Sequence, residues 1–140
     1  MNIEIKYDCT GVDWKKVSGI LKSVGMAHHD PEKHRAAFEA SRCTVFLYHE
    51  EQLVGFGRAI SDWVYQAAVY DCAVVEACQG LGLGRLIVRE ILSRLPGCNV
   101  ILYASPGKEG FYEKQGFKRM KTGMARFVNR DLMAERGFTV

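Results

Sequence analysis

Residues 67–84 read Ala67-Ala68-Val69-Tyr70-Asp71-Cys72-Ala73-Val74-Val75-Glu76-Ala77-Cys78-Gln79-Gly80-Leu81-Gly82-Leu83-Gly84, and Arg85-Leu86-Ile87-Val88-Arg89-Glu90-Ile91-Leu92 follow directly. An apolar run, a turn with three alternate glycines and an amphipathic run predict strand, glycine turn and helix, in that order. Gly80, Gly82 and Gly84 present no β-carbon to a ligand, so successive backbone N–H groups and the positive end of the helix can face a phosphate. A phosphorylated ligand is therefore expected here, against the plainer reading of a tight turn that binds nothing. Spacing narrows the ligand. In a dinucleotide fingerprint counted from Gly80, Arg85 stands where the closing glycine belongs, and counted from Gly82 it is Ile87. A Walker loop ends in Gly-Lys-Ser/Thr, whereas Gly84 is followed by Arg85-Leu86, which disfavours ATP chemistry.

The pattern that fits is Gln-x-x-Gly-x-Gly, at Gln79, Gly82 and Gly84, which resembles the pyrophosphate loop of the GNAT superfamily of N-acetyltransferases. Further on, Gly110-Phe111-Tyr112-Glu113-Lys114-Gln115-Gly116-Phe117 resembles the Phe-Tyr-x-x-x-Gly-Phe segment of the same superfamily. Taken alone, aromatics on a short helix closed by Gly116 read as core. Both segments stand in the family's order, with an apolar strand (Asn99–Ala104) between them, and the resemblance covers most of the chain.

Composition agrees with one small enzyme domain spanning residues 1–140. Nineteen Lys and Arg against 16 Asp and Glu give a net charge of +3, spread along the chain rather than gathered in a basic arm, so nucleic acid is not indicated. No apolar stretch approaches the roughly 20 residues needed to span a bilayer. The segment Met1–Lys6 lacks a signal-peptide core, and the expectation is a cytoplasmic protein without membrane association. Five cysteines (Cys9, Cys43, Cys72, Cys78, Cys98) form no Cys-x-x-Cys pair and read as reduced thiols.

Along the chain, Ile3–Tyr7 alternate as a half-buried strand does, and Trp14, Val17, Leu21 and Val24 recur at helical spacing until Gly25. Pro31 after Asp30 opens a second helix to about Ser41. Thr44–Tyr48 and Leu53–Ile60 form a hairpin around Glu50-Glu51-Gln52, and a second hairpin leads to the Ala67–Val75 strand. A helix from about Gly82 to Leu95, the Asn99–Ala104 strand, a helix at Phe111 and a final strand near Met124–Val128 complete the order; Asn129–Val140 finds no place in it. The fold class is α+β. By the resemblance it is a GNAT-like mixed, largely antiparallel sheet of six to seven strands, flanked by about four helices and split between the fourth and fifth strands.

The resemblance implies that acetyl-CoA is the cosubstrate and that its pantetheine arm enters this split as a strand would. Backbone groups around Val74 and Val75 would bond the arm, and the amides of Gln79, Gly80, Leu81, Gly82, Leu83, Gly84 and Arg85 would hold the pyrophosphate. An amine then attacks the acetyl carbonyl directly, which calls for two proton-handling groups. Tyr112 resembles the family tyrosine that protonates the leaving thiolate: a phenol of pKa about 10 can donate to a thiolate whose acid has pKa about 8.5. Asp71 interrupts an apolar strand, where an ionised carboxylate is costly unless paired or used. Related aminosugar and arylalkylamine acetyltransferases carry an acid at the same offset before the glutamine, which implies that Asp71 binds the substrate ammonium or takes its proton; a structural hydrogen bond is the alternative.

Two departures from the family pattern are Glu76, where proline is frequent, and Ser105, where asparagine often bonds the arm. Ser105 can still do so. Cys72 has no adjacent base and reads as a structural thiol rather than an acyl carrier. His28, His29 and His34 lack a metal-ligand spacing, and no metal is expected; substrate contact or a solvated turn remain their readings. The expected acceptor is a small-molecule amine, with Trp63, Tyr65 and Tyr70 favouring a flat or apolar one. A peptide or aminoacyl-tRNA acceptor, a noncatalytic coenzyme-A-sensing module and a homodimer stay open.

Overall fold

Alternation at the N-terminus yields a short edge strand, β1 (Glu4–Lys6), followed by α1 (Trp14–Ser23) and α2 (Pro31–Ser41). The computed structural model describes residues 1–41 and 43–140 and divides them into two units, Met1–Leu102 and Tyr103–Val140. The first unit continues with β2 (Cys43–His49), β3 (Gln52–Ser61), β4 (Gln66–Val74), a single 3-10 turn at Glu76–Cys78, α3 (Leu83–Ser93) and β5 (Asn99–Ile101). The strands form one sheet in the order β1-β2-β3-β4-β5: the first four run antiparallel, and β5 returns parallel to β4 after the α3 crossover.

Local chemistry explains the boundaries. The Asp13 carboxylate accepts from the Lys15 and Lys16 amides at 3.1 and 3.3 Å and so caps α1. Pro31 opens α2 where its missing N–H leaves nothing unsatisfied, and the Asp30 carbonyl accepts from Lys33 and His34. Glu50 and Glu51 both take positive φ (48° and 65°), the conformation that lets a two-residue turn join β2 to β3 with the natural strand twist.

The sheet buries two faces. Phe46 and Phe56 pack with Phe38 of α2 and with Trp14, Val17 and Leu21 of α1; Val45, Leu47, Ala59 and Val69 pack with Ile87 and Ile91 of α3. Gly57 on β3 makes the second packing possible. A β-carbon there would lie 2.7 Å from Ile87 Cγ2, 2.8 Å from Cys72 Sγ and 3.1 Å from Ile91 Cδ1, so α3 sits where only hydrogen leaves room.

In the second unit, α4 (Glu109–Glu113) and α5 (Arg130–Glu135) are the helices. Tyr103, Phe127 and Phe138 form one aromatic cluster, with ring centroids 5.3 to 6.3 Å apart. Phe111, Tyr112 and Phe117 form another around α4.

The expected count of six to seven strands and about four helices is corrected to five strands and five α-helices among the described residues. Met124–Val128 is not a strand: Met124 and Val128 are fully exposed and Phe127 is the side chain that anchors the stretch, so no apolar face is buried there. The fifth helix lies in the stretch that found no place in the predicted order. Asn129 caps α5 through the Leu132 amide at 3.2 Å, and Gly137 follows it at φ 85°.

Candidate active site

The β4–β5 ladder is short. Gln66, Ala67 and Ala68 pair with Asn99, Val100 and Ile101, and there it stops, while β4 runs on to Val74 against β3 alone. Beyond Ala68 the β5-facing edge of β4 has no ladder partner among the described residues, at the place where a split between the fourth and fifth strands is expected. Past Val75 the chain makes the 3-10 turn, with the Cys78 amide on the Val75 carbonyl (2.9 Å) and the Gln79 amide on the Glu76 carbonyl (3.1 Å). Gly80 and Gly82 then adopt φ of 79° and 82°, and a β-carbon at either would meet no protein atom within 4 Å. The turn is open.

Bonding within α3 begins with the Leu86 amide on the Gly82 carbonyl at 3.0 Å, which leaves the amides of Leu83, Gly84 and Arg85 without an acceptor among the described residues, at the positive end of an 11-residue helix. No acidic residue stands in that first turn, and the buried Leu83 side chain pins it to the core. These donors and the clear space at Gly80 and Gly82 fit a diphosphate. Gln79 works differently from its neighbours. Its amide closes the 3-10 turn and its side-chain Nε2 donates to the Val74 carbonyl at 3.0 Å, tying the strand end to the glycine turn. The Val75 amide is likewise engaged, on the Val54 carbonyl at 2.9 Å.

Asp71 owes its place to a β-bulge. Phe56 pairs with Ala73 and Arg58 with Tyr70, so β4 carries one residue more than β3 in between, and Asp71 takes φ 55° there. Strict alternation from Ala67 and Val69, which pack toward α3, would drive the Asp71 carboxylate into that core. The extra residue resets the alternation. Cys72 packs toward α3 instead, and Asp71 falls on the side of Tyr70, Ala73 and the helical pair α1 and α2. On that side Arg58 Nε donates to Asp71 Oδ2 at 2.7 Å, a charge-assisted bond between side chains that are only 15% and 23% exposed.

Tyr112 and Ser105 lie in the second unit. Ser105 stands in the turn before α4, its carbonyl accepting from the Lys108 amide at 2.9 Å. Tyr112 lies within α4 with Phe111 and Phe117 packed edge-on at 4.9 and 5.9 Å; its carbonyl accepts from the Phe117 amide at 3.1 Å, and Gly116 makes the intervening turn at φ 93°.

Residues 14–117 match the sequence profile of the acetyltransferase (GNAT) family. The chain belongs to that family. That family is one of acetyltransferases, and its acyl donor is acetyl-CoA. It is 35% identical over 121 residues to serotonin N-acetyltransferase 2, chloroplastic, of Oryza sativa subsp. japonica, covering 81% of this chain and 60% of that protein. It is 30% identical over 113 residues to an uncharacterized N-acetyltransferase of Prochlorococcus marinus, covering 76% of this chain and 63% of that protein. The chain thus spans about three-fifths of the length of these curated relatives. Among solved structures, a GNAT-family acetyltransferase of Streptococcus pneumoniae shares the fold, with a TM-score of 0.77 at 24% identity over 91% of this chain and 99% of that one.

Around this GNAT core the remaining candidates sort by environment. Burial pushes the Cys72 thiol up to about 12, which disfavours the thiolate that an acyl carrier needs. His34 sits inside α2, 3% exposed, and its Nε2 accepts the His29 amide at 2.8 Å, which closes the connection between α1 and α2. Burial lowers its pKa, with the Asp71 carboxylate pulling the other way. Ser18 Oγ donates to the His29 carbonyl at 2.6 Å, so this connection is knitted to α1 rather than being a solvated turn throughout. Among the described residues no group of His, Cys, Asp and Glu is arranged to hold a metal, and no helix is long and apolar enough to cross a membrane. Sequence reasoning passed over Arg58. Its sign was the cross-strand place opposite Tyr70, visible only once the bulge fixes the register.

Proposed function

We propose that this domain transfers the acetyl group of acetyl-CoA to the primary amine of a small molecule, by direct attack in a ternary complex. The observation that carries the reading is the open glycine turn at the end of a strand whose outer edge is unpaired beyond Ala68. On this reading the amides from Gly80 to Arg85 hold the diphosphate, Val74 and its strand edge receive the pantetheine arm, and Ser105 adds a side-chain bond. Asp71 takes the ammonium and then its first proton; the nitrogen forms the C–N bond as the C–S bond breaks; Tyr112 gives a proton to the departing thiolate, and its phenolate takes up the second proton that the nitrogen sheds as the neutral amide forms. Protons and charge balance between the two groups.

An arylalkylamine is the favoured acceptor. Trp63 and Tyr65 stand exposed on the β3–β4 connection, where the Asp62 carboxylate accepts from the amides of Val64, Tyr65 and Gln66, and a serotonin acetyltransferase is among the relatives. The test is free-thiol release from acetyl-CoA with serotonin, spermidine and glucosamine 6-phosphate as separate acceptors. Release that depends on the arylalkylamine is expected. Tight coenzyme A binding with no thiol release from any acceptor would instead make the domain a coenzyme-A-sensing module.

A further inference from the structure

Arg58 is held more firmly than an ion pair requires. Besides the Nε bond to Asp71 Oδ2, its Nη1 donates to Ser41 Oγ at 3.0 Å, and Ser41 sends its own proton to the Ala37 carbonyl at 2.6 Å, so the hydroxyl presents a lone pair to the guanidinium. The rings of Tyr70 and Phe38 lie 5.2 and 5.6 Å from the guanidinium carbon. Strand, helix end and two aromatic rings fix one planar cation. Asp71, in turn, stands at a left-handed bulge residue, a conformation a non-glycine residue adopts at a cost. Packing alone does not call for this: an apolar residue there would need neither the bulge nor the arginine. Oδ2 is bonded, while Oδ1 has no hydrogen-bond partner among the described residues.

We propose that Arg58 is a positioning residue for the acceptor amine: it locks Asp71 through Oδ2 so that Oδ1 is offered, in one orientation, to the incoming ammonium. This rests on reading Asp71 as the group that meets the amine. A lysine could keep the charge at position 58, but it lacks the planar fork that reaches Asp71 and Ser41 at once. The role is therefore one of geometry, and it acts only through Asp71.

The experiment is a double-mutant cycle of Arg58→Lys and Asp71→Asn, read as kcat/KM for serotonin, KM for acetyl-CoA and thermal melting. Arg58→Lys is expected to lower kcat/KM for the amine by about 10-fold or more with KM for acetyl-CoA changed less than about twofold, and to add no further loss in the Asp71→Asn background. Losses that multiply in the double variant, or an Arg58→Lys protein with wild-type kcat/KM, would overturn the role of Arg58 alone. An Asp71→Asn protein with wild-type kcat/KM would overturn the reading of Asp71 and the proposal together. Should Arg58→Lys fail to fold, Ser41→Ala removes one anchor and keeps both charges. Its smaller loss, about threefold, must also vanish in the Asp71→Asn background for the proposal to stand.

Discussion

Two side chains make the account exact enough to fail. If the Tyr112 hydroxyl protonates the leaving thiolate, Tyr112→Phe lowers kcat by roughly 10- to 1,000-fold and leaves acetyl-CoA affinity unchanged. Steady-state kinetics beside a titration of the donor checks this; weakened binding with unchanged kcat would make Tyr112 a packing residue of α4. His34 sets a pH dependence of stability. Burial, its largest influence, lowers the folded pKa, so below the ordinary histidine value of about 6.5 the unfolded chain binds a proton that the folded one refuses. Stability is therefore expected to fall as pH drops through that range, down to the lowered folded pKa, and His34 adds no slope above it. Melting followed from about pH 7.5 to about pH 5 should show a shallower decline in His34→Gln. An identical slope in both proteins would show that His34 is not the group responsible.

At the scale of elements, Gly57 and the β4 bulge decide how α3 and Asp71 are placed. Gly57→Ala would drive a methyl into the fully buried Ile87 and Ile91 and the Cys72 sulfur; a destabilisation of about 1–3 kcal/mol is expected, and chemical denaturation measures it. A neutral substitution would mean that α3 can lift off the sheet freely. The proline start of α2 and the β2–β3 turn were both legible, because each is decided by neighbours a few residues apart. The bulge was not. One extra residue leaves composition and hydrophobicity untouched and shows itself only in pairing with another strand, yet it decides which face Asp71 occupies. Met124–Val128 misled for the converse reason: an apolar stretch is local, but a strand needs a partner and a face to bury, and Phe127 is the side chain anchored there.

For the molecule as a whole, the glycine turn carried both the fold and the chemistry, since Gly80 and Gly82 take backbone conformations and leave a space that side chains would spoil. The proposed acceptor site was far less legible, because Arg58, Asp71 and Tyr70 meet across strands rather than along the sequence. The central claim is that this turn and the α3 N-terminus hold the diphosphate of acetyl-CoA. Titration calorimetry of acetyl-CoA into the wild-type protein and Gly82→Val, with melting to confirm that both are folded, tests it most directly. Gly82→Val puts a branched side chain at φ 82° in the space the diphosphate needs, and affinity is expected to fall at least about tenfold. Undiminished binding by a folded Gly82→Val protein would contradict the account.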